Sequence, residues 1–132
     1  MIFVDSSFWI ALANARDGRH DAATRLIQRH GDERLVTSNH VRGESWTFLN
    51  GRPGHRVAVG LIDLMERTPR LTVAHISEEL ERQALEWLRR HDERPYSFVD
   101  ATSFALMRSL KITEAFAFDA DFAAAGFVQL RP

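Results

Sequence analysis

The chain has 132 residues, 45% of them apolar, which suits a single globular domain over residues 1–132 and excludes a disordered chain. It contains no cysteine, so disulfides, thiolate metal sites and cysteine nucleophiles are excluded together. Its 17 basic and 18 acidic residues give a net charge of −1, which excludes a protein that holds nucleic acid by bulk attraction.

Ile2-Phe3-Val4 is too short for a helix and reads as a buried strand that ends in Asp5. The chain runs into this strand directly, leaving no room for a signal peptide, and no apolar run has the length of a membrane span. A cytoplasmic protein is therefore expected. Ser6 and Ser7 can cap a helix from Phe8 to about Asn14, and His20 to His30 forms a second. Leu35-Val36-Thr37 is the next strand. Ser38 or Asn39 caps a helix that reaches about Leu49 and ends at Asn50-Gly51. Within it Val41, Glu44 and Phe48 share a face by i, i+3, i+7 spacing, which places Glu44 on an apolar stripe. An acid there is costly unless it is paired or bound to a metal.

Gly51-Arg52-Pro53-Gly54 is a turn, and Arg56 to Glu66 is amphipathic. Leu71 to Ala74 is a third strand. Ser77 opens a helix that runs through Arg90, with Leu80, Ala84, Trp87 and Leu88 on its core face. After a polar loop, Ser97 and Asp100 have the spacing of a capping box ahead of Ala101, Phe104, Ala105 and Met107. Ala115 to Phe118 is a fourth strand, leading to Asp119, and Phe127 to Leu130 is a short fifth. Strands alternate with helices throughout. The predicted fold is α/β, a three-layer α/β/α sandwich with a parallel sheet of about five strands.

In a parallel sheet, the carboxyl ends of strands and the amino ends of the following helices share one edge. Asp5, Glu44, Asp100 and Asp119 all fall at such junctions. Two carboxylates about 4 Å apart repel by about 4 kcal/mol at an effective dielectric near 20. Such a cluster calls for protonation, basic side chains or a cation. An all-oxygen site without clustered histidine suits Mg2+, with Mn2+ as a substitute, and such ions assist phosphodiester hydrolysis. Asp121 lies close enough in sequence to join the site. Ser6, Asn39, Ser97 and Thr102 are placed to support the carboxylates or metal waters, with helix capping as the ordinary role of Asn39 and Ser97.

The sequence resembles PIN-domain ribonucleases of the VapC toxin family. The residues that carry this are Val4-Asp5-Ser6-Ser7, Thr37-Ser38-Asn39 with Glu44, Ser97-Phe98-Val99-Asp100 with Ser103 to Met107, and Phe118-Asp119-Ala120-Asp121-Phe122 with Gly126-Phe127. The family's first three acids fall on Asp5, Glu44 and Asp100, its more variable fourth on Asp119, and its small hydroxyl residue on Ser6. Asp121 replaces a residue that is often basic. The resemblance implies a Mg2+-dependent endoribonuclease toxin that arrests translation, is silenced by a VapB-type antitoxin and often forms a homodimer. Thr37 to Val41 and Tyr96 to Phe104 look closest to members that cut the sarcin–ricin loop of large-subunit ribosomal RNA. Other members cut transfer RNA.

An acidic enzyme must meet RNA through a basic rim. The candidates are Arg16, Arg19, Arg52, His55, Arg56 and Arg94, with Arg16 and Arg94 nearest in sequence to the segments carrying Asp5 and Asp100. Phe8, Trp9, Trp46 and Phe48 lie near the predicted site, where an antitoxin segment could cover them, although at least half are expected in the core. Two other enzyme classes fit poorly. A receiver domain needs an acidic pair after the first strand and a lysine near the last, whereas the sole lysine, Lys111, precedes the fourth strand. Haloacid-dehalogenase-like phosphatases need D-x-D where this chain has Asp5-Ser6-Ser7. A non-catalytic PIN-like interaction module is the remaining alternative.

Overall fold

The computed structural model describes residues 1–132. The elements in order are β1 (Ile2–Val4), α1 (Ser6–Ala13), α2 (His20–Arg29), β2 (Leu35–Ser38), α3 (Asn39–Gly51), α4 (His55–Glu66), β3 (Leu71–Ala74), α5 (Glu78–Arg90), α6 (Phe98–Leu110), β4 (Glu114–Phe116), α7 (Asp121–Ala124) and β5 (Val128–Gln129). The five strands form one parallel sheet in the order β3-β2-β1-β4-β5. This is the predicted α/β architecture, with one further short helix, α7.

The chain order explains the layering. Connections from β1 to β2 and from β2 to β3 step one way along the sheet. Those from β3 to β4 and from β4 to β5 step the other way. Right-handed crossovers therefore put α1–α4 on one face and α5–α7 on the other. The helix contacts agree: α1 touches α2, α3 and α4, and α6 touches α5 and α7, while α3 and the start of α6 also meet beside a shared groove. The strand order reverses between β1 and β4, and the crevice at their carboxyl ends is where open α/β sheets bind ligands.

β1 is wholly buried at the centre of the sheet, which accounts for its unbroken apolar run. Two buried polar contacts fix its neighbour. Thr37 Oγ1 donates to the Val4 carbonyl at 2.8 Å, and Trp9 Nε1 donates to Thr37 Oγ1 at 3.2 Å. α6 is buried continuously from Asp100 to Met107, so it is a central helix and not a surface one. Phe104 packs edge-on against Trp87, Tyr96 and Phe122, joining α5, α6 and α7. Phe8 and Trp9 belong to the core, as expected for half of the aromatic residues near the site, while Trp46 is half-buried and Phe48 is 39% exposed.

Two expectations need correction. β4 stops at Phe116, three residues before Asp119, because its last pairing is Phe116 with Val4. Asp119 thus sits in the loop beyond the strand. The buried face of α3 is Val41, Ser45 and Leu49, and Glu44 is exposed. The i, i+4, i+8 stripe wins because Ser45 is compatible with burial: its hydroxyl donates to the Val41 carbonyl at 2.7 Å.

Candidate active site

Asp5 is the N-cap of α1, at the carboxyl end of β1. Its Oδ2 accepts from the Ser7 backbone N–H at 3.1 Å and from the Ser7 hydroxyl at 2.7 Å. The same hydroxyl accepts from the Phe118 N–H at 3.0 Å, which ties the loop after β4 to the start of α1. Asp5, and not the expected Ser6 or Ser7, caps α1, which begins at Ser6, and Ser7 is the hydroxyl that holds the carboxylate. Its signal was legible: an N-cap Asp receives the N–H two residues on. Ser6 instead donates to Glu44 Oε1 at 2.5 Å and so fixes the exposed acid of α3.

Asp100 occupies the third position of α6 in a complete capping box. Its backbone N–H donates to Ser97 Oγ at 2.9 Å, and its Oδ2 accepts from the Ser97 N–H at 3.1 Å. Ser97 thus caps the helix and positions the acid at once. Asp119 Oδ1 accepts from the Asp121 N–H at 3.0 Å. Asp121 in turn accepts from Arg94 Nε and Nη2 at 3.1 and 2.9 Å. The rim acid therefore has its own guanidinium, and Arg94 is held by a carboxylate.

Asp5 is only 2% exposed and Asp100 9%. Burial, followed by the charge of Asp119, pushes the Asp5 carboxyl up to about 8; Asp100 adds to this, against the lowering bonds from Ser7. Burial is also the main cause that pushes Asp100 up to about 6, with Asp119 and Asp121 adding repulsion. Asp5, Asp100 and Asp119 thus stand within electrostatic reach of one another at the switch point. Glu44 is linked to the residue after Asp5 through the Ser6 hydroxyl.

No buried side-chain nitrogen or oxygen lacks a hydrogen-bond partner, so the unfavourable quantity at this edge is charge and not an orphaned group. A divalent cation would remove it. No three acidic or histidine side chains gather tightly enough to hold a metal by themselves. The set fits a hard ion that keeps several waters and takes one or two carboxylates directly, as Mg2+ does.

The remaining predicted residues are dispersed. Asn39 Oδ1 accepts from the Ile76 N–H at 2.9 Å and fastens the loop after β3. Thr102 is fully buried and donates to the Val99 carbonyl at 2.9 Å. Neither is hydrogen-bonded to the acids: the Thr102 hydroxyl is taken up by the carbonyl three residues back, as is common within helices, and the Asn39 oxygen by a long-range bond to the loop after β3. Arg16 lines a shallow depression with Arg52 and Pro53. Arg19 lies over the Phe118 ring at 5.5 Å and borders depressions beside both Ser6–Ser7 and Asp119, which brings it nearer the acids than sequence position suggested. Arg52 lies over Phe48 at 4.8 Å, His55 meets Trp46 edge-on, and Arg56 is exposed. No helix is long and apolar enough to cross a membrane.

Residues 2–128 match the PIN domain family. The chain is 58% identical over 132 residues to the 23S rRNA-specific endonuclease VapC20 of Mycobacterium tuberculosis, in both strain CDC 1551 / Oshkosh and strain H37Rv, covering 100% of this chain and 99% of each relative. A crystal structure of Mycobacterium tuberculosis VapC20, described as a sarcin-ricin loop cleaving toxin, superposes with a TM-score of 0.94 at 56% identity, over the full length of both chains. The chain belongs to the PIN domain family.

Proposed function

We propose that this PIN domain is a Mg2+-dependent endoribonuclease toxin that stops translation by cutting 23S rRNA at the sarcin–ricin loop. The observation that carries the chemistry is the buried Asp5 carboxyl at the β1–β4 switch point, with Asp100 and Asp119 raising its proton affinity. The substrate rests on full-length identity to an rRNA-specific relative.

Asp5 and Asp100 would hold the cation, with Asp119 and Glu44 reaching it through water. When bound there, the cation would supply a polarised water and would offset the charge that develops on the phosphodiester. Ser7 and Ser97 fix the two carboxylates so that they need little reorganisation when the phosphate arrives. Ser6 orients Glu44 at the side of the site. Arg16, Arg19, Arg52, His55 and Arg56 form the rim that meets backbone phosphates, while Arg94 offsets Asp121. A VapB-type antitoxin would silence the enzyme by covering this edge, where a basic side chain can pair with the carboxylates in place of the cation. In this reading the protein acts in the cytoplasm and as a homodimer, the latter resting on the family. Transfer RNA is the alternative substrate.

The experiment is to incubate the purified protein with ribosomes in Mg2+, with and without chelator, and to map new RNA 5′ ends. A single cut in the sarcin–ricin loop that chelator abolishes is the expected result. Cuts confined to transfer RNA would transfer the reading to that substrate, and no cut in any RNA would overturn it.

A further inference from the structure

Beside the acids, α3 and the start of α6 enclose an open, mostly apolar groove of about 780 Å³. Phe48 and Phe98 line it and are 39% and 38% exposed, two of the few large apolar side chains so open to water. The His40 ring lies against Phe98 with 5.9 Å between centroids. The Arg52 guanidinium covers Phe48 and places positive charge at the rim. Glu44 closes the end nearest Ser6, and Asp100 follows the lining residue Val99 directly.

Gly43 lines the same groove in the interior of α3, where glycine weakens a helix. No packing constraint requires it, since a Cβ built there meets nothing within 4 Å. Its φ is not positive, so no turn requires it either. What its missing side chain does provide is open space on the groove wall.

We propose that this groove is a nucleobase subsite, which takes an unpaired base next to the scissile phosphate and stacks it on Phe98 and Phe48. The inference rests on the reading that the chain cuts RNA. Aromatic faces interleaved with positive charge are the chemistry that holds splayed, single-stranded bases. Arg52 and His40 complement the flanking phosphates, whereas an apolar peptide would need neither. The Glu44 carboxylate adds an acceptor for N–H groups on the base edge. Phe98 and Phe48 would thus position the RNA so that the adjoining phosphate falls beside Asp100.

The test uses a sarcin–ricin hairpin carrying 2-aminopurine at each nucleotide flanking the bond that the wild-type protein cuts. Binding is followed in chelator, so that no cleavage intervenes. Stacking in the groove should quench the fluorescence of one of these bases. Phe98→Ala and Phe48→Ala should each weaken binding about tenfold and reduce the quench. Gly43→Leu, which fills the wall without removing any contact, should also abolish the quench while circular dichroism stays native. If all three variants bind and quench as a wild-type protein that cuts the hairpin, the groove is not a base subsite and serves another partner. A wild-type protein that neither binds nor cuts the hairpin overturns both this inference and the function it rests on.

Discussion

The Ser7 hydroxyl donates to Asp5 Oδ2 at 2.7 Å while accepting from the Phe118 N–H at 3.0 Å, so one side chain locks the catalytic-edge acid to the loop after β4. Ser7→Ala removes both bonds and leaves a part-buried N–H unpaired. It should cost roughly 1–2 kcal/mol of stability, read as a lower urea midpoint with unchanged slope. Cleavage should fall more than for Ser6→Ala, which touches only exposed Glu44. Equal effects of the two variants in single-turnover cleavage would remove Ser7 from the role assigned to it.

The metal-free protein should lose stability as pH rises. The Asp5 carboxyl lies near 8 when folded, against an ordinary value of 3.8. The folded state therefore binds the proton more tightly than the unfolded chain. This group favours folding most below about pH 4 and progressively less as pH approaches 8. Asp5→Asn keeps the shape without the charge, so it should raise the melting temperature at pH 8 and flatten its pH dependence, while abolishing cleavage. Melting curves in chelator from pH 5 to pH 8 check the sign; a wild-type protein that gains stability over that range contradicts it.

Added Mg2+ should stabilise the protein more at pH 8 than at pH 6, because protons on Asp5 and Asp100 compete with the cation. Thermal shift in saturating Mg2+ at the two pH values measures this directly. A shift that is larger at pH 6 would place the ion elsewhere.

Arg52 and Arg56 flank the turn before α4, and neither forms an ion pair. Replacing both with Gln should weaken RNA binding and reduce the slope of log affinity against log salt by roughly 1.5. Metal binding should not change. An unaltered slope would take this turn out of the RNA surface.

The five strands and the capping box of α6 were legible because short apolar runs and S-x-x-D spacing are local signals. The positions of Asp5 and Asp100 followed from them. α7 was not legible, since four residues give too little periodicity. Glu44 was misread because Val41, Glu44 and Phe48 form a plausible apolar stripe. Only the packing of α3 shows that Ser45 takes the buried position and Phe48 an open one. The partners of Asn39 and Thr102 were not legible either: one is a backbone N–H 37 residues away and the other a carbonyl of the same helix, and residue type does not reveal which a polar side chain takes. Arg94, expected to face RNA, pairs with Asp121, a contact 27 residues apart in sequence that spacing did not reveal.

In the proposed function, Asp5 and Asp100 share one divalent-cation site at the β1–β4 switch point. Calorimetric titration of Mn2+ into the protein at pH 8 tests it most directly, with wild type, Asp5→Asn and Asp100→Asn compared after each is shown to be folded. The expected result is saturable binding by the wild type that either substitution abolishes or weakens at least tenfold. Wild-type affinity retained in both variants would contradict it.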